Sequence, residues 1–79
     1  MKLDDMTLDQ LLVILNTHPF VCNEALCSVL ERIVRKYNDI LNLQYDEKTI
    51  YFFVNKFAAD YWNDKMISLY EDILPKKGA

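Results

Sequence analysis

The chain has 79 residues, 52% of them apolar, with one Gly, two Pro and a net charge of −3. That length predicts one domain over residues 1–79, with a core only just sufficient to hold it, and the acidic balance excludes a general attraction to nucleic acid or anionic membrane. No stretch has the apolar length of a membrane span, and the N-terminus lacks the basic-then-apolar pattern of a secretion signal.

Met1 to Asp5 reads as a frayed lead-in. Thr7-Leu8-Asp9-Gln10 has the form of a capping box, in which Thr7 accepts from the backbone and Gln10 reaches back. Met6 and Leu11 stand where a hydrophobic staple would. Leu8, Leu11, Leu12, Ile14 and Leu15 give a short first helix a broad apolar face. That face is wide for so short an element, and it predicts a homodimer formed through Leu8 and Leu12. Asn16-Thr17-His18-Pro19 ends the helix, because the residue before a proline avoids the helical region. His18 is the only histidine. It has no nucleophile and carboxylate beside it and reads as a solvated turn residue.

The second helix starts near Asn23. Cys22, Ala25, Leu26, Val29, Leu30, Ile33, Val34 and Tyr37 recur at spacings of three and four, the clearest periodic signal in the chain. Arg32, Arg35 and Lys36 form a basic patch on the other side, read as a solvated face paired with Glu31 and Asp39. Asn38 or Asn42 can end this helix. Cys22 and Cys27 are five apart, which suits neither a disulfide nor a metal set. They read as small buried residues with reduced thiols, as in a cytoplasmic protein.

The stretch from Asn42 to Leu74 holds seven of the nine Tyr and Phe residues and the only Trp. Leu41, Leu43 and Tyr45 alternate with polar neighbours, as a half-buried strand does. Asp46-Glu47-Lys48 suits a turn, although it lacks the Gly that tight hairpins favour. Thr49 to Val54 is β-branched and aromatic, which suits a second strand. Asn55 can then cap a helix running to Leu74, with Pro75 as its stop. The residues 75–79 read as a disordered end or a linker. The expected fold is therefore α+β: two helices, a β-hairpin and a long C-terminal helix. An all-α bundle stays open beside it, with one helix from about Ala25 to Tyr45 and another from about Lys48 on.

Within Thr49–Leu74 the run Val54-Asn55-Lys56-Phe57-Ala58-Ala59-Asp60-Tyr61, followed by Asn63-Asp64-Lys65, resembles the N-terminal domain of the bacterial replication initiator DnaA. Asn55, Phe57, Asp60, Asp64 and Lys65 match that family's pattern, and Tyr61 takes the place of its Trp. Val54 replaces the family's corner Pro, and the first forty residues carry no specific match. The DciA helicase-loading family has a domain of similar shape and matches less well. The resemblance implies a KH-like fold acting as a protein-contact module of replication initiation, one that self-associates or touches the replicative helicase or its regulators. It carries the helicase contact over to Phe57. We expect Phe57 to be partly exposed and to anchor a partner, with Lys56, Asp60 and Tyr61 around it. The Gly-x-x-Gly clamp of true KH domains is absent, since the sole Gly is Gly78. Base stacking on Tyr51 or Phe53 is the only nucleic-acid reading left.

No nucleophile–base pair, phosphate-binding loop or metal-ligand spacing occurs, so no enzyme activity and no cofactor is expected. The second functional reading is a small acidic helical regulator or inhibitor that binds one unrelated protein target.

Overall fold

The computed structural model describes residues 3–17, 19–63 and 69–74, and all regular structure among them is helical. A 3-10 turn at Leu3–Asp5 precedes helices α1 (Leu8–Thr17), α2 (Asn23–Ile40), α3 (Glu47–Trp62) and α4 (Leu69–Ile73). The expected β-hairpin and the KH-like α+β fold are thereby corrected. The protein is a small all-helical domain, in the class held open above.

α1 starts as its sequence demands. The Thr7 N–H donates to Gln10 Oε1 at 2.9 Å, and the Gln10 N–H donates to Thr7 Oγ1 at 3.2 Å. This reciprocal box satisfies two donors that the helix cannot. The preceding 3-10 turn at Leu3–Asp5 sets the Asp4 carboxylate 3.1 Å from Arg32 Nε on α2.

α2 is the central element and packs against the 3-10 turn, α1, α3 and α4. Its stripe of Leu26, Val29, Leu30, Ile33 and Val34 is buried, as the periodicity predicts. Each such side chain contributes about 1.5–3 kcal/mol when taken from water. The helix ends in a Schellman motif. The Asn42 N–H donates to the Asp39 carbonyl at 3.3 Å and the Leu43 N–H to the Asn38 carbonyl at 3.0 Å. Asn42 supplies the left-handed residue, with φ of 51°. Asn38 then accepts the Tyr45 N–H on its side-chain oxygen at 2.9 Å. The alternation of Leu41, Leu43 and Tyr45 is therefore that of a folded-back capping loop, not of a strand.

α3 begins where the turn was expected. Asp46 is its N-cap and accepts the Thr49 N–H at 2.9 Å. Asn55, expected as a cap, lies mid-helix. Ile50, Val54, Phe57 and Ala58 are buried, at the three–four spacing of one helical face. That face packs on α2 in antiparallel fashion. Arg35, late in α2, bonds Glu47 at the start of α3, whereas Asn23, at the start of α2, accepts from Trp62 at the end of α3.

The expected single helix to Leu74 is divided: α3 closes at Trp62 with Asn63 as C-cap. Leu69 and Ile73 of α4 re-enter the core. The Tyr45 hydroxyl donates to the Ile73 carbonyl, and Lys56 Nζ lies 2.8 Å from the Asp72 carboxylate. His18, Asp64, Lys65 and the expected stop at Pro75 lie outside the described residues.

Candidate functional site

The residues expected to bind a partner are not assembled into an exposed site. Phe57 is 0% exposed, which corrects the expectation of an outward anchor. Its ring stacks on Phe53 at 5.9 Å between centroids and 16° between planes, inside the seam of α3 with α2. Lys56 is exposed, but its ammonium is engaged by Asp72 at 2.8 Å and sits 5.9 Å from the Phe57 ring centroid. Tyr61 is half-buried. Its hydroxyl accepts the Phe20 N–H at 3.5 Å, and its ring meets Phe20 edge-on at 5.8 Å. Asp60 is half-buried on the flank of α3 near Lys56. Leu8 and Leu12 are half-buried against the core beside Leu11 and Leu15. They form the edge of the α1–α2 seam rather than an open apolar face.

The cysteines are also redistributed. Cys22 is exposed at the N-cap of α2, and Cys27 is half-buried. Both are free thiols, and burial pushes the Cys27 thiol up from its ordinary value, with the Asn23 side chain opposing that shift. No group of three His, Cys, Asp or Glu side chains able to hold a metal occurs among the described residues.

The basic patch on α2 is largely neutralised. Arg35 pairs with Glu31 at 3.0 Å, as expected, and with Glu47 at 2.7 Å. Arg32 turns to Asp4, an ion pair without hydrogen-bond alignment at Nε. A hollow of about 160 Å³ lies among Asp4, Arg32, Arg35, Lys36 and Asp39. Two of its three cations, Arg32 and Arg35, are engaged in ion pairs, and Asp4 and Asp39 share the lining with Lys36. A shallower apolar depression of about 340 Å³ runs along α1 over Met6, Val13 and Ile14.

The outer face of α3 is different in kind. Phe52 is 62% exposed, Tyr51 47% and Trp62 46%. Ten of the sixteen α3 residues are apolar, more than one buried stripe requires. Here one side is in the core and the other carries three rings in solvent. Lys48, Phe52, Asn55, Ala59 and Trp62 repeat at four, three, four and three along the helix, which brings them onto one outward stripe. All five are exposed, and none is acidic. Tyr51 borders the stripe on the α2 side.

Two of the rings are held from α2. The Arg35 guanidinium lies 5.9 Å from the Tyr51 ring centroid. Trp62 donates its indole N–H to Asn23 Oδ1 at 2.8 Å. Phe52 meets Phe53 edge-on at 5.6 Å. The face is therefore exposed yet preset in geometry. Sequence reading missed it because Tyr51 and Phe52 were assigned to a strand and Trp62 to a separate helix. The signal was present in the four–three repeat from Lys48 to Trp62.

No family model matches this chain, and no curated protein and no solved structure does either. Its class therefore rests on its own coordinates: a small all-α domain with one aromatic outer helix face. No helix among the described residues is long and apolar enough to cross a membrane.

Proposed function

We propose that this chain is a non-enzymatic protein-interaction domain, a small acidic helical regulator that binds a protein target through the outer face of α3. The observation that carries the reading is the exposure of Tyr51, Phe52 and Trp62 on the outer side of α3, where Lys48, Phe52, Asn55, Ala59 and Trp62 form a stripe without a carboxylate. Aromatic side chains in fixed positions are the usual anchors of protein interfaces. Holding them in place beforehand lowers the entropy cost of binding. The resemblance to the initiator domain implies a protein-contact role of the same kind, but it carried that contact to Phe57, which is buried, and leaned on a hairpin that the fold does not contain. The two free thiols support a reducing compartment such as the cytoplasm.

The test is capture from host lysate with the wild type and with a Tyr51→Ser, Phe52→Ser variant. Circular dichroism verifies that both are folded. A partner held by the wild type and lost by the variant is the expected result. Equal capture by both proteins removes α3 from the interface. Recovery of the replicative helicase through this face would restore the initiation role.

A further inference from the structure

We propose that the outer face of α3 also binds a second copy of itself, antiparallel, across a two-fold axis near Asn55. This rests on the reading of that face as a protein-contact surface and names one partner for it.

The pattern of the stripe is self-complementary. Lys48 and Trp62 lie seven residues before and after Asn55, so an antiparallel two-fold sets each Lys48 ammonium beside the second copy's Trp62 ring. The same operation brings Phe52 to within about one residue's rise, roughly 1.5 Å along the axis, of the second copy's Ala59, a large side chain against a small one. Asn55 meets its own mate on the axis. An amide both donates and accepts, so two asparagines related by a two-fold can satisfy each other. A polar residue of this kind inside an apolar seam fixes register at some cost in stability. A C2 contact needs only one patch that fits itself, and this stripe meets that condition.

Charge favours the same occupant. The chain carries a net charge of −3, so two copies repel through most surfaces. The stripe between Lys48 and Trp62 has no carboxylate and one cation, and self-pairing there brings no acidic groups together. Area sets the strength. Sixteen residues of helix span about 24 Å, and one such face falls short of the roughly 800 Å² per partner of a standard interface. The dimer is accordingly weak and in exchange with monomer. The α2–α3 pairs of the two copies then form a four-helix arrangement.

The experiment is sedimentation equilibrium up to roughly 1 mM protein, on the wild type, Phe52→Asp, and Val13→Asp as an exposed control on α1. Wild type and Val13→Asp should dimerise alike, and Phe52→Asp should weaken the dimer at least roughly tenfold. In a Cys22→Ser, Cys27→Ser background, Asn55→Cys should oxidise to a covalent dimer. A mixture of Lys48→Cys and Trp62→Cys proteins should cross-link to each other in preference to themselves. A wild type that stays monomeric overturns the proposal, as does a dimer indifferent to Phe52→Asp. Cross-linking of Lys48→Cys to itself overturns the antiparallel order. Loss of self-association with lysate capture intact separates this failure from that of the contact-surface reading.

Discussion

The Arg35 guanidinium grips the Glu47 carboxylate with two parallel hydrogen bonds, Nη1 to Oε2 at 2.7 Å and Nη2 to Oε1 at 2.9 Å. Its Nε donates to Glu31 at 3.0 Å, and its guanidinium carbon lies 5.9 Å from the Tyr51 ring centroid. One cation thus joins two turns of α2 to the first turn of α3 and steadies a ring of the outer face. The fork suits a planar guanidinium and would not survive replacement by lysine. The hydrogen bonds to Glu47 and Glu31 push the Arg35 pKa up.

An acid-dependent loss of stability follows from the start of α3. The hydrogen bonds from Arg35 hold the Glu47 carboxyl below its ordinary range, and the Thr49 N–H does the same for Asp46. Both groups take up protons more readily when unfolded. Their contribution is complete above the ordinary carboxylate range and is lost as pH falls through the lower folded values. The melting temperature should therefore drop below roughly pH 4. An Asp46→Asn, Glu47→Gln variant should be less stable at neutral pH and show a flatter acid limb. An unchanged limb would assign the acid sensitivity to other carboxylates.

The capping box of α1 sets a second expectation. Thr7→Ala removes the acceptor of the Gln10 N–H and should cost about 1 kcal/mol in urea denaturation. Gln10→Ala instead frees the Thr7 N–H, which lies at the surface where water can replace the lost partner. Its cost should be smaller. The reverse order would mean that the Gln10 side chain contributes more than the cap.

Gln44 holds a left-handed conformation, with φ of 59°. That region costs a non-glycine residue about 1–2 kcal/mol, and glycine gives back about 0.5–1 kcal/mol of that in backbone entropy. Gln44→Gly should therefore stabilise the protein by up to about 1 kcal/mol. Asn42 shares the left-handed region at φ of 51°, but asparagine tolerates it. Asn42→Gly should gain less, and Asn42→Ala should destabilise. Urea titrations that rank Gln44→Gly below the wild type would contradict this account of the loop.

The first half of the fold was legible because its signals are local and agree with each other. The Thr7–Gln10 box, the break before Pro19 and the α2 stripe all mean what they usually mean. The second half was not, because two patterns are superposed between Thr49 and Trp62. Ile50, Val54, Phe57 and Ala58 make a core stripe, while Tyr51 and Phe52 fill the gap beside it with exposed rings. Read over five residues, the sum is an unbroken apolar run, which has the composition of a strand. Extending the count to Tyr61 separates the stripes. Asp46 also carried two meanings, since an aspartate before a charged pair serves a turn or an N-cap equally well. The rings that obscured the helix, Tyr51 and Phe52, are ones now placed on the candidate site.

Phe52 and Phe57 give the sharpest test, because they are the same residue type on one helix in opposite environments. Phe57 is 0% exposed and Phe52 62% exposed. Truncating the buried ring opens a cavity between α3 and α2, against the stack with Phe53. Phe57→Ala should cost about 3–5 kcal/mol, a large share of the stability of a domain this small. Phe57→Leu keeps most of the volume and should cost far less. Phe52→Ser removes a ring that is mostly in water already and should change stability by no more than about 0.5 kcal/mol. Binding should respond in the opposite order. Phe52→Ser should lose partner capture and self-association at full helicity, whereas Phe57→Leu should retain both. Equal destabilisation by Phe57→Ala and Phe52→Ser in urea would place both rings in the core. It would withdraw the outer face of α3 as a binding surface.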